Sequence, residues 1–229
     1  MKPSTLIEYI GGMPSQTRAV ETRQKIIDAA VEMFADKGYG ETGLNDLTGR
    51  AQVTTGAFYY HFNSKDDLAR AIMDQGWPRA LEVVKRCLGS PAPGLENVIV
   101  MTFALSSMMK RDRLVWVANH LNQAFGQLSE EGRRVFEDHA ATFIDELAAA
   151  VRDSDLRDEV TPEQVGSMVW ITLHGCHLLS DAMDDNVIDR LHESWSLLLR
   201  SIVPDQSLPY FRNFLERTAA QFDPASKAG

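Results

Sequence analysis

A chain of 229 residues, 44% apolar and 24% charged, is long enough for one large or two small globular domains with a real core. Its net charge of −9 argues against a protein that coats nucleic acid indiscriminately, and no apolar run reaches the roughly 18–20 residues of a membrane span. Cys87 and Cys176 match no zinc or redox spacing and fit a reducing cytoplasm, and the start "MKPSTLIEYIGGMPSQT" lacks the apolar centre of a signal peptide.

The chain reads as all-α, because alternating strand patterns are missing and turn residues fall at helix-to-helix spacing. "TRAVETRQKIIDAAVEMFADKGYGET" places Val20, Ile26, Ile27, Ala30 and Phe34 on one helical stripe that Gly38 terminates. A short helix "LNDLTGRA", a turn "QVT" and a third helix "TGAFYYHF" follow. Phe58 and Phe62, four apart, face inward together and leave Gly56, Tyr59 and Tyr60 pointing elsewhere. Ser64 caps a fourth helix running to Leu88, with Asp66 and Asp67 in its first turn, and Gly76-Trp77-Pro78 is expected to kink it. "GSPAPG" (Gly89–Gly94) is the clearest linker. Helices are expected beyond it near Leu95–Met109, Leu114–Gln123, Ser129–Asp153, Pro162–Asp181, Val187–Ile202 and Ser207–Gln221. The organisation expected is a three-helix head over 18–64 and a larger helical body over 65–221. Residues 1–17 and 222–229 are expected to be flexible ends.

Two short helices joined by a tight turn, behind a longer one, make a helix-turn-helix whose second helix enters the major groove. Such a face needs small residues for close approach and donors for phosphates. Thr54, Thr55, Gly56, Tyr59, Tyr60 and His61 supply that mixture, and Lys65 adds a charge at the next helix start. Aromatics at helical spacing usually mean core, but Phe58 and Phe62 already fill that role. Charge agrees with the exposed reading. Residues 1–62 hold 6 Lys/Arg against 7 Asp/Glu, residues 63–229 hold 17 against 25, and Leu47–Lys65 holds no acid.

The stretch "TRQKIIDAAVEMFADKGYGETGLNDLTGRAQVTTGAFYYHFNSKDDL" resembles the amino-terminal domain of the TetR family of bacterial repressors. The resemblance implies an all-α homodimer that binds a palindromic operator and releases it when a small molecule occupies the second domain. It also implies phosphate contacts from Thr42 and Thr54, base contacts from Thr55 and Gly56, backbone contacts from Tyr59, Tyr60 and His61, and an anchor at Lys65. Two positions depart from the family pattern. Gln52 stands where a turn glycine is usual, at a cost of about 1 kcal/mol if left-handed, and Thr55 stands where many members carry a base-reaching lysine.

Further on, "AVRDSDLRDEVTPEQVGSMVW" and "HESWSLLLRSIVP" are similar to the γ-butyrolactone receptor subgroup of actinobacteria, which sense lactones, butenolides or furans. Those receptors carry Phe-x-x-Trp, with the tryptophan on the ligand. Here the motif is Phe136-Glu137-Asp138-His139, and an imidazole pairs instead with a ligand carboxylate or hydroxyl. The alternative for His139 is a surface position beside its acidic neighbours. Pocket lining is expected from Trp116, Gln123, Gln127, Phe136, His139, Trp170 and Thr172; the alternative is plain packing or surface.

No metal or cofactor is expected. "HGCH" (His174–His177) directs Cys176 away from the two histidines, and close helix packing through Gly175 explains it better than zinc. No catalytic signature is present, so no enzyme activity is expected. The alternative class is a helical carrier or enzyme whose head no longer binds DNA. Dimerisation is expected through Val165, Met168, Val169, Leu173 and Leu178 of one helix. Ile188, Leu191, Trp195, Leu198, Leu199 and Ile202 of the next complete that surface, unless both stripes face only their own core.

Overall fold

The computed structural model describes residues 14–128 and 130–223. Over these residues the chain forms ten α-helices and no strand. They are α1 (Pro14–Lys37), α2 (Leu44–Ala51), α3 (Thr55–His61), α4 (Lys65–Leu88), α5 (Gly94–Arg111), α6 (Arg113–Leu128), α7 (Glu130–Val151), α8 (Pro162–Met183), α9 (Val187–Ile202) and α10 (Leu208–Phe222). Of the ends expected to be flexible, 1–13 and 224–229 lie outside the described residues. Residues 14–17 begin α1 instead, and Phe222 stacks on Phe103 at 6.2 Å and packs on the main core.

Local chemistry sets the helix ends. Gly38 leaves α1 at φ +82, which a residue with a Cβ resists. Gln52 caps α2 at φ 55, ψ 42, with its N–H on the carbonyls of Gly49 and Thr48, so this chain adopts the left-handed turn without glycine. Thr54 accepts the Ala57 N–H at 3.1 Å, and Ser64 accepts that of Asp67 at 3.0 Å. Thr161 and Gln164 form a reciprocal capping box at α8.

Two apolar clusters form. One joins Ile26, Ile27, Phe34, Leu47, Phe58 and Phe62 of the head to Leu68 and Ile72 of α4 and to Leu114, Val117 and Leu121 of α6. The head is therefore welded to the body through α6 as well as α4. Val20, expected on the buried stripe, is 69% exposed. The second cluster surrounds α5, which is buried on nearly every side, and includes the fully buried Phe103 and Trp195.

Helix α4 runs unbroken through Gly76-Trp77-Pro78. Gly76 is required by packing there: a Cβ at this position would sit 2.3 Å from the Cβ of Ala118 on α6. The lever that carries the head thus presses directly on the floor of the body.

Candidate nucleic-acid interface and ligand cavity

On α3 the split between faces is sharp. Phe58 and Phe62 are buried at 0% and 2% exposure, whereas Tyr59 and Tyr60 are 53% and 77% exposed. Thr54, Thr55 and Gly56 are exposed, and a Cβ on Gly56 would meet only the Thr54 hydroxyl, at 3.9 Å. The start of α3 is therefore open to an approaching surface. His61 is half-buried and meets Tyr60 edge-on at 4.9 Å. Arg50 pairs with Glu32 at the head's edge.

Two of the expected contact residues turn inward. Thr42 is buried, and its hydroxyl donates to the Gly38 carbonyl at 2.8 Å, so its side chain stabilises the turn after α1. Lys65 folds inward: its ammonium donates to the carbonyls of Tyr39 and Thr42 at 2.9 and 3.0 Å and lies 4.3 Å from the Tyr39 ring centroid. Two of its three N–H donors thus hold the head together. The Tyr39 hydroxyl donates to Asp66; burial, with help from that bond, pushes the phenol up from its ordinary value.

The body holds a narrow apolar cavity of about 50 Å³ between α4, α5, α6, α7 and α8. Of the seven expected lining residues it takes His139 and Trp170. Trp116 instead faces a groove beside α1, tilted against the His120 ring with centroids 3.8 Å apart and its N–H toward Asp181 at 3.4 Å. Phe136 packs beside the cavity against Gly126 and the rings of Trp170 and His174. Gln123 and Thr172 are half-buried and Gln127 is exposed, all outside the lining. Uniform helical spacing gave no means of choosing among these faces.

Sequence reasoning missed Trp77, Asn119, Asn122, His174 and His177, which do line the cavity. A usable signal was present, since Trp170, His174 and His177 recur at helical spacing on one face of α8. Gly175 is not a packing contact as expected: nothing lies within 4 Å of its would-be Cβ. Cys176 does turn away from the histidines, to the Ser194 hydroxyl at 3.5 Å. Among the described residues no three His, Cys, Asp or Glu side chains are grouped to hold a metal.

The hydrogen bonds assign tautomers. His174 donates from Nδ1 to the Trp170 carbonyl at 3.0 Å, leaving Nε2 as an acceptor. The Ser106 hydroxyl donates to the Thr102 carbonyl at 2.8 Å, so His177 Nε2 is the donor in its 2.9 Å bond to Ser106. Burial lowers the pKa of His139 and His174 and brings His177 down to about 4. The lining contains no Asp, Glu, Lys or Arg. At neutral pH the cavity is uncharged.

The comparisons agree with this geometry. The model of the bacterial regulatory proteins of the tetR family matches residues 26–72. The A-factor receptor protein of Streptomyces griseus is 33% identical over 200 residues, covering 83% of this chain and 67% of that protein. The chain belongs to the TetR family. As such it is a transcriptional regulator with an amino-terminal helix-turn-helix. A γ-butyrolactone receptor described as ArpA-like superposes with a TM-score of 0.70 at 25% identity, over 89% of this chain and 100% of the other. The TetR family protein CprB from Streptomyces coelicolor A3(2) gives 0.70 at 27% identity, over 88% and 98%. Among the described residues, no helix of this regulator is long and apolar enough to cross a membrane.

Proposed function

We propose that this TetR-family chain is a repressor that binds a palindromic operator as a homodimer and is released by a small, uncharged, mainly apolar signal molecule. The observation that carries this is the position of α4. Three residues separate it from α3, its Leu68 and Ile72 share the head's core with Phe58 and Phe62, and its middle forms one wall of the cavity. Anything that widens the cavity must move the helix that aims the head.

Thr54, Thr55, Gly56, Tyr59, Tyr60 and His61 are the proposed contacts to operator DNA, with Lys65 left one free donor at the rim. CprB, a relative in the same fold, is known in complex with its operator sequence. Domain limits of 18–64 and 65–221 suit this division of labour, with α4 as the connection.

The cavity chemistry narrows the effector. Neutral imidazoles offer no counter-charge to a carboxylate, so a carboxylate partner for His139 loses its support. A ligand hydroxyl or carbonyl suits Asn119, Asn122 and the histidines better, and a lactone or butenolide fits that description. The γ-butyrolactone receptors among the relatives are consistent with it.

The dimer surface we favour is the outer face of α8. Met168, Ile171, Leu178, Leu179 and Met183 are 44–65% exposed, with the open Gly175 amid them, and Leu197 of α9 is 66% exposed. Val165, Val169, Leu173, Ile188, Leu191, Trp195, Leu199 and Ile202 are buried in the protomer's own core, with Leu198 partly buried against it, so the α9 stripe is not that surface.

Fluorescence anisotropy with the duplex upstream of the protein's own gene tests the proposal. Wild type should bind tightly, and Tyr60→Ala should bind every duplex more weakly without altering the thermal melt. Wild-type affinity equal to that for random duplex would remove the operator from the account. The alternative reading, a carrier with an inert head, would give that result.

A further inference from the structure

The cavity described above is too small for its proposed occupant. It measures about 50 Å³, whereas ligand sites run to roughly 300–1,000 Å³. A second hollow of about 320 Å³ lies between α4, α6 and α7 on the far side of one wall. The two share Met73, Trp77, Asn122 and His139. The outer hollow alone only just reaches that range and is the more polar of the two; joined to the inner cavity it gains an apolar end.

The shared wall is a pair of rings. The Trp77 indole lies flat on the His139 imidazole, with centroids 4.1 Å apart and planes 10° from parallel. Little else holds the imidazole: its Nδ1 is buried without a hydrogen-bond partner. Further out along the same seam, Arg70 reaches Glu131 at 3.3 Å, an exposed pair that solvent weakens. The remaining walls are less free. Leu105, Val115 and Leu173 belong to the main core, and His177, which also borders the groove near Trp116, is tied to Ser106.

We propose that the effector site is a two-chambered slot that forms when His139 swings off Trp77 and joins the inner cavity to the outer hollow. This rests on the ligand-responsive reading above. The occupant that fits is an elongated amphiphile. Its apolar body fills the inner chamber, and its polar end sits among Arg70, Asp74, Asn122 and Glu131 in the outer one. Its body then lies against Trp77 in place of the imidazole, so occupancy acts directly on α4.

The test needs neither DNA nor the natural effector. The neutral dye N-phenyl-1-naphthylamine is larger than the inner chamber and brightens on leaving water. It is mixed by stopped flow with full-length wild type, His139→Ala and His139→Trp, each checked by thermal melt. Association should quicken about tenfold or more in His139→Ala and slow about tenfold or more in His139→Trp, because the rate follows the fraction of open slot. Rates within about twofold of one another would overturn the proposal, as would no uptake by any of the three. Dye held on the exposed α8 face would be indifferent to residue 139 and so also counts against it. Operator anisotropy on the same samples keeps the two readings apart. Lost DNA binding would sink the repressor reading alone, and indifferent dye rates with retained DNA binding would sink the slot alone.

Discussion

Gly76→Ala is the sharpest probe of the contact between α4 and α6. The new methyl would lie 2.3 Å from the Ala118 Cβ, with the Leu114 carbonyl and side chain at 3.3 and 3.4 Å. An ordinary carbon contact is about 3.5–4.0 Å, so the helices must part by more than about 1 Å. Overpacking of this kind costs about 1–3 kcal/mol. Replacing glycine inside a helix returns about 1 kcal/mol. At so close an approach the upper end of the overpacking cost applies, so the net loss should be about 2 kcal/mol, read from urea unfolding followed by circular dichroism. Ala118→Gly in the same chain removes the opposing methyl and should recover most of it. Because the displacement is along the lever, operator affinity without effector should fall in Gly76→Ala and return in the double variant. A Gly76→Ala protein as stable as wild type, or a double variant no better than the single, would refute the direct contact.

Gln52→Gly should stabilise the protein by about 0.5–1 kcal/mol, because the left-handed residue at φ 55 would then have no Cβ; an unchanged melting temperature would contradict that turn. Lys65→Ala removes two charge-assisted bonds and should cost about 2–3 kcal/mol in thermal unfolding; weaker DNA binding at unchanged stability would mean that the ammonium serves the phosphates instead. Burial holds His177 near 4 against an ordinary 6.5, so the unfolded chain binds the extra proton between these values and stability falls as pH drops through that window, by about 3 kcal/mol. Melts at pH 7 and 4.5 should show the fall, and His177→Gln should flatten it; a slope unchanged by that substitution would place the acid sensitivity elsewhere.

Much of the architecture was present in the one-dimensional pattern, for physical reasons. Phe58 and Phe62 share a face at four-residue spacing, which forces Tyr59 and Tyr60 outward on so short a helix. Gly38, Ser64, Thr161 and Asn186 end or start helices through their own backbone or side-chain chemistry, so the boundaries were nearly right. The cavity was less accessible. Trp116 and Trp170 have equal claims on a lining role from spacing alone, and only the way α6 turns against α8 separates them. Thr42 and Lys65 stand in the family pattern as phosphate contacts, yet the inward carbonyls of Gly38, Tyr39 and Thr42 recruit both. Val20 fits an apolar stripe but is 69% exposed.

Selection of duplexes by the purified protein from a fully random library shows whether this chain reads DNA as a dimer. A homodimer reading DNA through two copies of α3 should enrich an inverted repeat whose half-sites lie about one helical turn apart or a multiple of it. Tyr60→Ala should enrich the same repeat more weakly, and substitution of Thr55 should change the bases within it. Enrichment of a single unrepeated site, or no enrichment over the starting library, would contradict the account of this chain as a dimeric, operator-specific repressor.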